Sequence, residues 1–405
     1  MTAGCEAAEG TSGPGEPNMG RKTDGAGAGP ARRGNVAYRK AAVIAMNTGL
    51  LFLGLNLLSI PFARLLGRRS ATHGRSENDL RAAYPGWSAA DIEALLVERD
   101  RNNRWDYEAF TEYRQKAVAG RFINVVAEGF RRGKRVQRWP PPPETCAVFF
   151  FGGSTAYGDG LPDWETIPAA LEGLLAPTHS CRSWSVYNFG RPGYYSTQER
   201  ILFEQLLQSG YVPRVAVFFD GLNDFFYPEP PGDGRPWQAG QTGQLARLVS
   251  EHETAGSRYR FFQLFWGLPL TRVLRSALPN PPRPPAPECA ADRILGRWRA
   301  NRRLIEGAAA KFDVRPLFVW QPIPALGETP GRRAREDGRT SLGCARKGYE
   351  AFARTVATEA SGSLLWLADL PRGRAEKLTV DDVHYTAAFS RELASEIGNA
   401  LAPAR

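Results

Sequence analysis

Apolar positions along this chain group in three ways, and each grouping predicts a different element. The first is an unbroken stretch: Ala41 to Ile60, AAVIAMNTGLLFLGLNLLSI, has no charged residue across twenty positions, the length a helix needs to cross a bilayer core. Arg39 and Lys40 precede it and Arg64, Arg68 and Arg69 follow, so an all-round apolar helix between basic flanks is expected to span a membrane, despite Asn47 and Asn56 inside it. The second grouping is the short apolar run closed by a Gly-containing loop. Ala147–Phe151 ends at Gly152-Gly153-Ser154, WSVYN ends at Asn188 and runs into Gly190 and Gly193, and Val215–Phe219 ends at Asp220-Gly221-Leu222-Asn223-Asp224. Such runs predict strands buried on both faces. The third has helical spacing: Ile167, Leu171, Leu174 and Leu175 in one segment, and Ile201, Leu202, Leu206 and Leu207 in another, where Ser196 is placed to cap. Further on, CAADRILGRWRANRRLIEGAAAKF predicts a helix, VRPLFVWQPIP a fourth strand with Gln321 at its end, CARKGYEAFARTVATEA a helix and SLLWLADL a fifth strand. A last helix falls in the C-terminal half of DDVHYTAAFSRELASEIGNAL. Strand, loop and helix in repetition give the βαβ pattern of a doubly wound α/β sheet.

These elements divide the chain. Residues 1–38 are rich in Gly, Ala and Pro without apolar periodicity and predict a disordered tail. Residues 39–63 form the transmembrane helix, 64–143 a juxtamembrane connecting region, and 144–405 the main domain. In the connecting region Ser88 with Asp91 makes a capping pattern before a helix with Ile92, Leu95 and Leu96 on one face. Tyr107 to Arg132, aromatic and broken by Gly, is expected to be extended and laid against the fold. Residues 225–287 lack an obvious strand and are read as an insertion, either a flap over the site or a helix on the domain's flank.

Charge and cysteine content refine this picture. The formal net charge of +10 comes from Lys and Arg mixed with acids along the 405 residues, and no aromatic-basic motif of the RNA-binding kind is present, so no nucleic-acid partner is expected. Arg21, Lys22, Arg32, Arg33, Arg39 and Lys40 before the span outnumber Arg64, Arg68, Arg69 and Arg75 after it. That excess predicts a cytoplasmic N-terminus, with the rest of the chain periplasmic or extracellular. Cys146, Cys181, Cys289 and Cys344 lie on the outer side, an even number that suits an oxidising compartment. A 146–181 bridge would join the starts of two neighbouring strands, 289–344 would follow only by elimination, and four unpaired buried thiols is the alternative.

Candidate chemistry gathers at strand ends, where open α/β sheets bind ligands. Ser154 follows the first core strand. Of the four histidines, His73, His179, His252 and His384, only His384 lies in a loop after a core strand on the same edge as Ser154, so it is the expected base. Asp381, three residues earlier, can turn back onto the imidazole, while Asp382 is expected to face solvent. Donors for a developing oxyanion are expected from the N–H of Ser154, the N–H of Gly193 and the side-chain amide of Asn223. The α/β-hydrolase elbow is excluded because Ser154 follows the first core strand and Asp381 adjoins His384. A phosphate loop would need a Lys before its Ser or Thr, and no His/Cys cluster has metal-ligand spacing, so neither metal nor cofactor is expected.

Gly152-Gly153-Ser154, Asn188 to Gly193, Gly221 to Asp224 and Asp381-x-x-His384, in this order, resemble the blocks of the SGNH or GDSL-type hydrolases, over roughly Cys146 to the C-terminus. The resemblance implies a flavodoxin-like three-layer α/β/α sandwich with a central parallel sheet of about five strands, Ser154 as nucleophile, Gly193 and Asn223 as oxyanion donors, and Asp381 with His384 completing a triad. It also implies a serine esterase acting on an acyl ester of a glycan or lipid. The same fold and triad serve O-acyltransferases acting on envelope polysaccharide, and a catalytically silent glycan-binding scaffold is the reading from another class. The form Asp-Gly-x-Asn-Asp and the N-terminal anchor resemble a bacterial envelope subgroup. One departure stands out: the family's usual Gly-Asp-Ser is here Gly152-Gly153-Ser154, which leaves the local turn geometry to be examined.

Overall fold

The computed structural model describes residues 30–71, 75–177, 181–226, 267–277, 289–324, 341–359 and 362–402. Most of the segment read as an insertion, and residues 325–340, lie outside the described residues. So do His73, His179 and His252.

Two compact units are present, one ending at Leu58 and the other beginning at Ser59. The first contains most of a long helix, Pro30–Ala71, which begins within the segment read as a tail. Its stretch Tyr38–Arg64 is 27 residues of mostly apolar sequence, about 40 Å of helix against a hydrocarbon core of about 30 Å. Val43, Ile44, Leu50, Leu51, Leu53 and Leu57 are exposed on it. Asn56 donates its side-chain amide to the Phe52 carbonyl at 2.9 Å, so this polar group is satisfied within its own helix.

In the second unit, Ser88 caps the helix Ala89–Arg101 as its spacing predicts, accepting from the Asp91 N–H. Residues 105–125 then form two short antiparallel pairs, Trp105–Glu108 (β1) with Glu112–Gln115 (β2) and Val118–Ala119 (β3) with Asn124–Val125 (β4). The five apolar runs follow as Thr145–Gly152 (β5), Ser183–Asn188 (β6), Val215–Asp220 (β7), Arg315–Trp320 (β8) and Leu364–Trp366 (β9). They lie side by side in the order β6-β5-β7-β8-β9, all parallel. The first strand of the sheet is thus flanked by the second and the third. This is the doubly wound order in which the chain switches direction at β5, the place where open α/β sheets bind ligands beyond the carboxyl ends of their strands.

Alternation within the strands sorts the core into two layers. Ala147, Phe149, Phe151, Ala216, Phe218, Phe318 and Trp320 face one side, against Leu202, Phe203 and Leu206 of the helix Ser196–Gln208, Leu295 and Trp298 of Ala291–Lys311, and Phe352 of Ser341–Ala353. Val148, Phe150, Val217, Phe219, Leu317 and Val319 face the other, against Ile167 and Leu171 of Ile167–Leu174 and Phe389, Leu393 and Ile397 of Ala387–Leu401. A strand covered on both faces needs no polar face, which is why these runs read as continuously apolar. The architecture is a three-layer α/β/α sandwich.

One local detail departs from expectation. Ser196 does not cap its helix: Tyr195 holds the N-cap position, and the Ser196 hydroxyl instead donates to Asp224 Oδ1 at 2.6 Å. The residues upstream of the sheet are laid against it, as expected of the connecting region. Tyr84, Ile92, Leu95, Leu96, Phe122 and Ile123 form a third apolar cluster with Tyr157, Leu161 and Val380, so this region packs directly on the loops that follow β5 and β9. Disulfides join Cys146 to Cys181 and Cys289 to Cys344, with Cα atoms 5.5 and 5.3 Å apart. The first ties the start of β5 to the residue just ahead of β6, and the second ties the approach to Ala291–Lys311 to Ser341–Ala353.

Candidate active site

Ser154 opens a one-turn helix, Ser154–Tyr157, immediately beyond β5, and is half-buried. Two glycines make that position reachable. A Cβ at Gly152, whose φ is +152°, would lie 2.5 Å from the Ala156 Cβ. At Gly153 the obstacle is the site itself, because a Cβ there would sit 2.0 Å from Asn223 Nδ2 and 3.0 Å from the Tyr194 carbonyl oxygen. The Gly-Gly-Ser form therefore has a physical reason in this chain: the space a side chain would need before the serine is filled by the amide of Asn223.

The other strand-end loops close around the same point. Arg191-Pro192-Gly193-Tyr194 is a tight turn, with the Tyr194 N–H donating to the Arg191 carbonyl at 3.0 Å and Gly193 at φ +87°. Proline followed by a left-handed glycine suits the two central positions of such a turn. The Arg191 N–H donates to the Gly152 carbonyl at 2.9 Å, pinning the turn to the end of β5. Asn223, just past β7, donates Nδ2 to the Tyr194 carbonyl at 2.7 Å. Its amide has a second N–H. Ser154, Gly193 and Asn223 thus belong to one cluster of loops joined through Gly153 and Tyr194.

On the far side of the crevice, His384 Nδ1 is 2.7 Å from Asp381 Oδ2, and Asp381 Oδ1 also accepts the N–H groups of Val383 and His384. Asp382 is exposed. Burial by itself would raise the Asp381 carboxyl, but the His384 charge, its ring bond and the two backbone donors outweigh burial and hold it well below the usual carboxylate range. For His384, burial disfavours the charged ring, yet Asp381 and then Asp159 prevail and its titration moves above the ordinary histidine value. Among the described residues the Nε2 atom is buried without a hydrogen-bond partner, so no hydrogen bond joins it to Ser154 in this structure.

What draws the histidine loop toward the serine loop is a buried glutamine. Gln321, at the end of β8, accepts on Oε1 from the Thr155 hydroxyl at 2.7 Å, and the Tyr385 hydroxyl, which donates more closely to the Pro322 carbonyl at 2.7 Å, also reaches this oxygen at 3.2 Å. Thr155 follows Ser154 and Tyr385 follows His384, so the neighbours of the two expected catalytic residues share one acceptor atom. The Tyr349 hydroxyl secures the Gln321 backbone carbonyl at 2.8 Å. Sequence reading marks Gln321 only as a residue at a strand end, and nothing in the local pattern gives it this bridging role.

Arg131, entirely buried, is a second organiser that sequence reading misses. It pairs with Asp163 at 2.8 Å and donates to the carbonyls of Tyr157, Gly158 and Leu161 at 3.0, 2.9 and 2.6 Å. It thereby fixes the loop that leaves the one-turn helix of Ser154. Three further carboxyl groups, Glu199, Asp220 and Asp224, are buried, the last two flanking Asn223 in sequence. Asp220 accepts from Trp298 Nε1 at 2.9 Å, and Asp224 accepts from Ser196 and lies 3.7 Å from the Arg297 guanidinium. Among the described residues no His, Cys, Asp and Glu group has the arrangement of a metal site.

No protein-family model matches the chain. No curated protein matches it either. Among solved structures it is similar to the acetyl xylan esterase AlAXEase, at 16% identity and a TM-score of 0.36 over 63% of this chain and 100% of that one. It is similar also to a member of the lipolytic protein G-D-S-L family from Veillonella parvula DSM 2008, at 10% identity and a TM-score of 0.33 over 64% and 98%. A third is LAE5, an alpha/beta hydrolase enzyme from the metagenome of Lake Arreo, Spain, at 12% identity and a TM-score of 0.33 over 63% and 94%.

Proposed function

We propose that this chain is an SGNH-type serine esterase held at a membrane by its N-terminal helix. One observation carries the reading: loops from four separate strands bring Ser154, a glycine turn, the Asn223 amide and an Asp-paired histidine to one end of the sheet, tied by Gly153–Asn223 contact and the shared Gln321 acceptor. In the proposed reaction the Ser154 hydroxyl attacks an ester carbonyl while its proton passes to His384 Nε2. Asp381 keeps the ring oriented and stabilises the imidazolium that results. The oxyanion is received by the N–H groups of Ser154 and Gly193 and by Asn223, each donor worth about 3 kcal/mol of transition-state stabilisation. The imidazolium then returns its proton to the leaving alcohol, and a second hydroxyl repeats the sequence to release the acyl group. That hydroxyl is water in a hydrolase and a sugar hydroxyl in an O-acyltransferase on envelope polysaccharide.

A panel of acyl esters, on glycan and lipid alcohols, assayed with the full chain and with His384→Ala is the test. Turnover in the first and its loss in the second is expected, and equal turnover in both would end the reading. Saccharide-dependent transfer exceeding hydrolysis would assign the acceptor to a sugar. The anchor, with the N-terminus cytoplasmic and the domain periplasmic or extracellular, is tested by fractionation and by protease protection in spheroplasts. A full-length chain recovered as soluble protein would overturn it.

A further inference from the structure

The Nε2 edge of His384, which the mechanism needs, faces a carboxylate the mechanism does not use. Asp159 Oδ2 lies 3.7 Å from it, with the two side chains 24% and 14% exposed, so the pair is largely shielded from water. The placement of Asp159 is built into the turn that starts at the candidate nucleophile. Both the Gly158 and Asp159 N–H groups donate to the Ser154 carbonyl, at 2.9 and 3.0 Å. Gly158 takes a left-handed conformation to end the helix, and Arg131 holds the Tyr157, Gly158 and Leu161 carbonyls from behind.

Gly160 completes the placement. A Cβ there would be 2.9 Å from Val380 Cγ2, and its carbonyl accepts the Tyr84 hydroxyl at 2.8 Å. Val380 in turn donates its N–H to the His384 carbonyl at 2.7 Å. The two loops therefore dock at Gly160 and Val380, one residue from Asp159 on one side and a single hydrogen bond from His384 on the other. Around the ring stand Asp381 from its own loop, Asp159 from the serine turn and Arg99 from Ala89–Arg101. Tyr84 feels both of these carboxylates as well as Arg99 and Arg75.

We propose, resting on the esterase reading above, that Asp159 is a positioning residue for His384: it faces the ring edge opposite Asp381 and, with it, favours the doubly protonated ring. The Ser154 proton that arrives at Nε2 during attack then meets a second negative charge, which stabilises the imidazolium without taking the proton. Coulomb attraction at this distance in a shielded site is substantial. The consequence is a threshold: the unprotonated ring that can act as base becomes available at a higher pH than for an ordinary histidine, and Asp159 sets part of that threshold.

The experiment is a titration of ¹³C-labelled histidine rings in the full-length chain in detergent micelles, with His384→Gln assigning the resonance. Asp159→Asn is expected to move the His384 midpoint to lower pH, while Asp159→Glu keeps it raised. In ester turnover, kcat/KM at pH 6 relative to its plateau is expected to rise about threefold or more in Asp159→Asn. An unchanged midpoint in Asp159→Asn would overturn the proposal, whatever happens to activity. Should that variant fail to fold, Asp159→Ser is read in the same way. If no ester is turned over by the unmodified chain, the esterase reading fails while the ring titration still decides the role of Asp159.

Discussion

Half-buried Asp381 and a cluster of fully buried carboxyls stand at the same end of the sheet and are treated oppositely by the fold. Asp381 receives two backbone N–H groups and the imidazole ring, and its titration is driven down even though burial pushes the other way. Glu199, Asp220 and Asp224 share a pocket in which Arg297 is the cation facing Asp224. Burial, and then the charge of neighbouring carboxylates, pushes Glu199 well above its usual range and Asp220 up to about 7. Asp163 falls between, raised by burial and partly brought back by Arg131 and Asn124. The lesson is that withdrawal from water does not decide a carboxyl's state; the number and charge of the donors that replace water do. Asp381 keeps an anion ready beside His384. The buried cluster is shifted toward its protonated state and flanks Asn223.

Substitutions can break this contrast, and the largest effect is expected on the driven-down side. Asp381→Asn keeps an oxygen for the backbone donors but removes the charge and offers the ring the wrong partner, so kcat in ester turnover is expected to fall about 10⁴-fold with little change in unfolding midpoint. A loss of tenfold or less would mean that Asp381 does not orient the base. Arg131→Met strands Asp163 and three carbonyls in the interior. A loss of about 3–5 kcal/mol in urea unfolding is expected, and less than 1 kcal/mol would contradict the role given to Arg131.

On the raised side the effects are smaller and depend on pH. Trp298→Phe removes the donor to Asp220, which matters most when that carboxyl is ionised: a loss of about 2 kcal/mol is expected at pH 8 and a smaller one at pH 5. Glu199→Gln has the mildest consequence. A carboxyl raised by folding holds its proton more tightly in the folded state, so its contribution is fully present below the unfolded value of about 4.3 and is lost as pH climbs toward the folded value. Unfolding free energy of the unmodified chain is thus expected to decline from about pH 4 upward through neutrality on account of this cluster. In Glu199→Gln that decline is expected to be shallower, with near-equal stability of the two proteins only at about pH 4 and below. Parallel curves across the range would show that Glu199 is not among the raised groups.

Much of this architecture was legible in the residues because the signals were local. Runs such as Ala147–Phe151 and Val215–Phe219 are short, wholly apolar and closed by glycine, and they became β5 and β7 at the heart of the sheet. Ser88 and Asp91 marked a helix start three residues apart. What stayed hidden depends on partners far apart in sequence. Thr155, Gln321 and Tyr385 meet across 166 and 64 residues, and neither glutamine nor tyrosine carries a pattern that announces such a bridge. Asp159 reads as an ordinary turn residue in Tyr-Gly-Asp-Gly. Ser196 looked like a cap because its type and position fit one, yet a buried acid at Asp224 competes for its hydroxyl and holds it. Gly153 shows the reverse: a departure from the family pattern that becomes intelligible only once the Asn223 amide is seen in the space beside it.

The central claim is that residue 154 is a nucleophile activated by a base more than two hundred residues further on. The most direct measurement is peptide mapping by mass spectrometry after a fluorophosphonate reacts with the full-length chain. The account predicts one adduct, on Ser154, which disappears in Ser154→Ala and forms far more slowly in His384→Ala. An adduct on another residue, or labelling of Ser154 at the same rate without the histidine, would contradict it.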